Sequence, residues 1–126
     1  MMSVQRSAIG MAFGAITLLL TGCGGSSVGG EPATFAGTDG ETLYAVACAS
    51  CHGANLGGTN RGPPFLDSIY RPGHHADASF LLAVRRGVRS HHWDLGSMSA
   101  ISGLTDEQVR AITRFVRERQ RAAGIE

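Results

Sequence analysis

The sequence predicts one small all-α domain with appendages, and three observations support this prediction. The chain has 126 residues, of which 43 % are hydrophobic, so it is long enough for one globular core. Apolar residues in its second half recur at helical spacing, and no alternating pattern typical of strands competes with them. The formal net charge of +1 also excludes a basic nucleic-acid-binding protein, so we expect no nucleic-acid partner.

The first 22 residues have the layout of a secretory signal. Arg6 provides the positive start, an apolar core runs from Ala8 to Leu20, and small residues follow. The apolar stretch is too short to cross a bilayer comfortably, which argues against a membrane-spanning helix. We therefore predict export, with this segment removed from the mature chain.

Cys23 follows the apolar core within the sequence LTGC, which resembles the bacterial lipobox. In a lipobox the cysteine becomes the lipid-modified first residue of the mature protein, whereas an ordinary signal peptide cut near a cysteine is the alternative. The next residues are rich in Gly and Ser and lack periodicity, which predicts a flexible tether. The predicted organisation is a signal at 1–22, a lipidated cysteine with its tether at 23–38, and a folded domain at 39–126. Such a protein would be lipid-anchored on the periplasmic side of a bacterial membrane.

The first predicted helix begins after Asp39, whose side chain can cap it, and runs toward two cysteines. One side of this helix carries Leu43, Val46 and Ala47. Residues 57–72 are rich in Gly and Pro, so this stretch is expected to be mostly loop with one short helical turn.

Two more helices are predicted in the second half of the chain. One lies between Asp77 and Gly87, and the other begins at the sequence TDEQ, 105–108, which has the form of a capping box. Acidic residues in the first turn and a glycine after the last turn complete the signals of the final helix. The residues expected to be buried on these two helices are Phe80, Leu81, Val84, Val109, Ile112, Phe115 and Val116.

The sequence CASCH at 48–52 carries the strongest chemical signal. A Cys-x-x-Cys pair serves as a redox disulfide, as half of a zinc site or, when histidine follows, as an attachment site for haem. Zinc needs four ligands, and histidines would have to complete the set once Cys23 is lipidated. A thioredoxin-like disulfide needs a βαβ setting that a helical domain does not supply. Haem attachment explains every residue, because Cys48 and Cys51 can add to two vinyl groups while His52 binds the iron.

Three stretches of the chain resemble the class I cytochrome c family: GETLYAVACASCHG at 40–53, RGPPFL at 61–66 and MSAISGLTDEQVRAITRFVR at 98–117. The resemblance implies the cytochrome c fold, with three main helices and short loop helices around one covalently bound haem c. It also implies a methionine ligand shortly before the last helix. Met98 matches this position, although Ser99 follows it where the family often has proline.

The resemblance implies further roles around the haem. A loop proline carbonyl should accept a hydrogen bond from His52, and the Pro-x-Leu spacing favours Pro64 over Pro63. Gly40 and Tyr44 match positions where the first helix crosses the last. Candidates for hydrogen bonds to the haem propionates are Arg61, Tyr70, Arg71 and Trp93, since buried indole and phenol groups need partners and arginine pairs well with carboxylates. Solvated surface positions are the alternative for the two arginines.

Two histidine pairs leave other kinds of ligation open. His91 or His92 could replace Met98 and give a bis-histidine haem of lower potential. Together with His74 and His75, they could instead hold copper or zinc at the surface. A haem-based sensor or a metal-binding lipoprotein is therefore the alternative function.

Ligation by His52 and Met98 would leave the iron no open position, which favours one-electron transfer over ligand binding. No nucleophile with its base and no carboxylate pair is recognisable, so we do not expect an enzyme. The expected partners are redox proteins such as a dehydrogenase, reductase or oxidase. The chain itself would be either a monomer or a subunit of a redox complex. Arginine clusters at 85–89 and 110–121 could steer an acidic partner, but solvated helix faces explain them more simply.

Overall fold

This computed structural model describes residues 35–126, which contain four α-helices and one 3-10 turn joined by loops. The helices are α1 (Gly40–Ala47), α2 (Ala49–His52), α3 (Asp77–Arg86) and α4 (Asp106–Ala122), and the 3-10 turn is Ser68–Tyr70. Within these residues there is no strand, so the all-α prediction is confirmed. The predicted signal, Cys23 and most of the predicted tether lie outside the described residues.

Helix α1 begins where the sequence predicts. The Asp39 carboxylate accepts a hydrogen bond from the Thr42 amide at 2.8 Å and thereby satisfies one of the free amides of the first turn. The helical backbone breaks at Cys48, and the chain then forms the single turn α2, which carries the second cysteine and His52. Leu43 is buried, whereas Val46, placed by the sequence on the same side of the helix, is 64 % exposed.

Helix α4 has the predicted capping box in full. The Thr105 hydroxyl accepts from the Gln108 amide at 3.2 Å, and the Gln108 side-chain oxygen accepts from the Thr105 amide at 2.9 Å. The side-chain nitrogen of Gln108 also donates to the carbonyls of Phe35 and Gly37, both at 2.8 Å. The sequence predicts that residues 35–37 belong to the flexible tether, yet these hydrogen bonds hold them against α4. The packed part of the chain thus includes residues N-terminal to the predicted boundary.

The crossing of α1 and α4 is the main helix contact, and it depends on a glycine. A Cβ atom at Gly40 would lie 2.2 Å from the Ala111 carbonyl oxygen, so only glycine lets the backbones approach this closely. One turn further along, the Tyr44 ring packs on Phe115 with centroids 5.4 Å apart. The predicted crossing at Gly40 and Tyr44 is confirmed.

Helix α3 packs on α4, burying Val84 and half-burying Phe80 and Leu81. At the far end of α4, Arg117 does not lie on a solvated face, because its side chain is only 7 % exposed. Its guanidinium donates to Asp77 at 2.8 Å and to the Tyr70 carbonyl at 2.7 Å. This buried cation therefore ties α4 to the start of α3 and to the 3-10 turn. None of the described helices is long and apolar enough to cross a membrane.

Candidate functional site

A cavity of about 630 Å³ lies between the CASCH segment, α3, α4 and the loop that joins those two helices. Its volume is within the range of ~300–1,000 Å³ that is usual for cofactor sites. Seven of the residues singled out in the sequence line it together: Cys48, Cys51, His52, Arg61, Tyr70, Trp93 and Met98. These residues come from positions up to fifty apart in the chain, so the fold is what makes them one site.

The two cysteines lie on one wall of the cavity and are not joined in a disulfide. Cys48 is the residue at which α1 ends and α2 begins, and Cys51 follows on the turn of α2. Burial, with a smaller contribution from the neighbouring Cys51, raises the pKa of the Cys48 thiol to about 11. Both thiols line the cavity as a pair separated by one helical turn, as the attachment of one haem through two cysteines would require.

His52 is 8 % exposed and is held on two sides. Its ring stacks on Phe65 with centroids 4.2 Å apart, and its Nδ1 donates to the Pro63 carbonyl at 2.9 Å. Because a carbonyl only accepts, this bond assigns the proton to Nδ1 and leaves the lone pair on Nε2. Burial lowers the pKa of His52, and the bond to Pro63 opposes that shift in part. The imidazole is thus neutral and oriented, as a metal ligand must be.

Pro63, and not Pro64, supplies this carbonyl, so the sequence prediction of Pro64 is corrected. The reason is the orientation of the peptide that joins the two prolines. A Cβ at Gly58 would lie 2.8 Å from the Pro64 nitrogen, so the nitrogen edge of that peptide packs against Gly58. The opposite edge, which carries the Pro63 oxygen, faces His52. Pro64 does not line the cavity.

Met98 lies half-buried on the cavity wall at the end of the loop that follows α3. Its backbone forms an isolated antiparallel bridge with Val88, with N–O distances of 2.9 Å in both directions. The bridge requires Gly87, which has φ +73° and whose added Cβ would lie 2.4 Å from the Met98 oxygen. Sequence reasoning missed this bridge, since a single pair of residues produces no periodic signal.

Three of the four residues suggested for the haem propionates line the cavity, and Arg71 does not. Trp93 stacks on Tyr70 with centroids 5.8 Å apart and planes 5° from parallel. Burial, followed by the nearby charge of Asp67, raises the pKa of Tyr70 to about 12, which keeps its hydroxyl protonated. Arg61 donates to the Ser50 carbonyl at 2.8 Å, which ties its guanidinium to the CASCH segment.

The two histidine pairs meet in space, because the loop that follows α3 folds back against the segment that precedes the helix, and the Nε2 atoms of His74 and His92 lie 3.2 Å apart. His75, His91 and His92 line the cavity, whereas His74 lies on its outer side. Burial lowers the pKa of His92, and the neighbouring imidazoles, which would repel a proton there, lower it further. His91 and His92 thus border the same cavity as Met98, the residue they would replace in the alternative ligation.

The donor set fits a covalently attached haem. Two thiols, one neutral imidazole with a free Nε2, and one thioether face a single cavity whose remaining wall is largely apolar. The thiols can bond to a porphyrin, while imidazole and thioether are donors that suit haem iron. No hard oxygen site of the kind that Mg²⁺ or Ca²⁺ prefers is among these residues.

The comparisons with known proteins agree with this geometry. The family model described as cytochrome c matches residues 37–120, which is more than half of the chain and includes every residue assigned above to the cavity. No curated protein matches the chain closely enough to count as a relative. The motif, the cavity and the family match together show that this chain belongs to the cytochrome c family, whose cofactor is covalently bound haem c.

Proposed function

We propose that this protein is a one-electron carrier whose haem iron is bound by His52 and Met98. Membership of the cytochrome c family supports haem-based electron transfer as the class of activity, and this fits a carrier better than an enzyme. When bound, the haem supplies an iron that alternates between the ferric and ferrous states. The observation that carries the proposal is that His52 and Met98 line the same cavity.

The contribution of His52 follows from its contacts. The bond from Nδ1 to the Pro63 carbonyl orients the ring and raises the basicity of Nε2, which strengthens its hold on a metal. Stacking on Phe65 restricts rotation of the ring. A ligand that is already fixed moves little when the charge on the metal changes, and small rearrangement favours fast electron transfer.

Met98 contributes a thioether from a backbone segment that is held by the bridge to Val88. A methionine and a histidine together would favour the ferrous state and raise the reduction potential relative to two imidazoles. If both residues bind, they would leave the iron no position for oxygen or another small molecule. The apolar lining, which includes Val84, Ile101 and Ile112, keeps water away from the site.

The ligand assignment is tested by carbon monoxide binding to the ferrous holoprotein. Met98→Ala should keep the haem attached and yet bind carbon monoxide, because one position on the iron is then open. The matched control is the double variant His91→Ala with His92→Ala, which should remain indifferent to carbon monoxide. If only the double variant binds it, the second ligand is a histidine and the proposal is wrong.

We also propose that the protein is exported and attached to a membrane through a lipid on Cys23, as its LTGC sequence suggests. Tethering confines the domain to the membrane surface and so raises its effective concentration near membrane-held dehydrogenases, reductases or oxidases. Cys23→Ser should move the protein from the membrane fraction to the soluble exported fraction with its haem retained. A Cys23→Ser protein that still sediments with membranes would contradict the anchor.

A further inference from the structure

Three histidines form a cluster that the electron-transfer site does not use. His74 and His75 precede α3, and His92 lies in the loop that follows it, which folds back to meet them at the edge of the cavity. One ring nitrogen of each lies within 4.8 Å of the other two. Three imidazoles with a fourth position left to water are a known ligand set for zinc. We propose that His74, His75 and His92 bind a divalent transition-metal ion such as Zn²⁺, separate from the haem iron.

The distance between two of these rings suits a shared ion. The Nε2 atoms of His74 and His92 are 3.2 Å apart. At a Zn–N distance of ~2.0–2.1 Å, this separation corresponds to an N–Zn–N angle of about 100°, close to tetrahedral. His75 completes a set of three ring nitrogens, one from each histidine, that all lie within 4.8 Å of one another. Since tetrahedral ligands lie ~3.3 Å apart, a ring movement of about 1.5 Å or less completes the set.

His75 already has the second contact that ligating imidazoles need. Its Nδ1 donates to the Ile69 carbonyl at 2.9 Å, which leaves the lone pair on Nε2. This is the same arrangement that the bond to Pro63 gives His52. A backbone carbonyl on the far nitrogen fixes both the tautomer and the ring direction of a ligating histidine.

The two segments that carry the cluster are held in place without a metal. The Arg117 guanidinium donates to the carbonyls of Tyr70 and His75, which anchors the segment before α3. The loop after α3 is closed at its base by the bridge between Val88 and Met98. A site whose parts are already ordered loses little conformational freedom on binding.

Bound metal would therefore join the segment before α3 to the loop that ends at Met98. His75 packs on Tyr70 and His92 packs on Trp93, with ring centroids 4.7 and 5.7 Å apart. His75 and His92 line the cavity beside these two aromatic rings, so the ion would lie at the edge of the cavity. The expected effect is a clasp that stabilises this edge of the cavity and leaves the haem ligands unchanged.

The test is calorimetric titration of Zn²⁺ into the haem-loaded protein, prepared without a histidine tag and in a non-coordinating buffer. We expect one saturable equivalent, and an increase in Tm of roughly 10–20 °C at a hundredfold excess over Kd that a chelator reverses. His74→Ala and His92→Gln should each weaken binding about tenfold or more. The matched control His91→Ala should keep it, because that ring is not one of the three.

Two results would overturn the metal site. One is the absence of a saturable equivalent up to millimolar Zn²⁺, and the other is a loss of binding in His91→Ala as large as that in His74→Ala. The optical spectrum, recorded during the titration, keeps this test separate from the iron ligands. It should not change as Zn²⁺ binds, and a change that tracks occupancy would show that the zinc takes a haem ligand and would also overturn the proposal.

Discussion

The close crossing of α1 and α4 at Gly40 makes a quantitative prediction about stability. In Gly40→Ala the new Cβ would lie 2.2 Å from the Ala111 carbonyl oxygen, where ordinary contact begins at 3.4 Å. The obstacle is backbone, which cannot rotate away as a side chain could. Helix α1 must therefore move from α4 by about 1 Å, and overpacking of this kind costs ~1–3 kcal/mol.

Alanine also brings a gain at this position, because it is a better helix former than glycine by ~0.5–1 kcal/mol. Gly40 is the first residue of α1, where that gain is at its smallest. The steric cost exceeds the gain, and we expect a net loss of ~1–2 kcal/mol in the free energy of unfolding. For a domain of this size the loss corresponds to a decrease in Tm of roughly 5–15 °C.

The assay is guanidinium and thermal unfolding of the haem-loaded protein, followed by far-ultraviolet circular dichroism. Gly73→Ala is the matched control, because an added Cβ there meets nothing within 4 Å. It should change stability by less than ~0.5 kcal/mol. A Gly40→Ala protein that is as stable as the control variant, or more stable than the wild type, would refute the packing argument.

Three further substitutions test other contacts. Arg117→Met should lower the free energy of unfolding by ~2–4 kcal/mol in guanidinium titrations, because it leaves buried carbonyls unpaired, and a loss below ~0.5 kcal/mol would contradict this role. Arg85 donates a hydrogen bond to Asp106 and holds its pKa below the ordinary value of 3.8. The ion pair therefore stabilises the fold at pH values above 3.8. In urea titrations, the difference in the free energy of unfolding between the wild type and Asp106→Asn should shrink as the pH falls below 3.8. A difference that does not vary with pH would refute the pairing. Gly87→Ala should displace the Met98 backbone and increase carbon monoxide binding to the ferrous protein, whereas unchanged indifference to carbon monoxide would show that the bridge does not position Met98.

Local signals were sufficient for the helices and for the haem-attachment motif. The Asp39 cap and the Thr105 capping box each depend on residues within four positions, so the sequence alone predicts where α1 and α4 begin. The CASCH motif is equally local, since five consecutive residues carry both thiols and the imidazole. The cytochrome c resemblance added Met98, whose position on the cavity no local pattern could give.

The features that sequence reasoning missed are contacts between distant residues. Arg117 is buried because Asp77, forty positions away, lies opposite it, and nothing near Arg117 in the chain distinguishes it from its solvated neighbours. The choice between Pro63 and Pro64 depended on the orientation of one peptide against Gly58. The two histidine pairs were visible in the sequence, but only the return of the loop after α3 brings the Nε2 atoms of His74 and His92 within 3.2 Å of each other.

The most direct test of the central claim is the optical spectrum of the exported protein in its ferric and ferrous states, with and without carbon monoxide. Ligation by His52 and Met98 predicts a c-type ferrous spectrum, a weak far-red sulfur-to-iron band in the ferric state, and no response to carbon monoxide. A ferric spectrum without that band would contradict Met98 as the ligand, and a shift on adding carbon monoxide would contradict the closed coordination that a carrier requires.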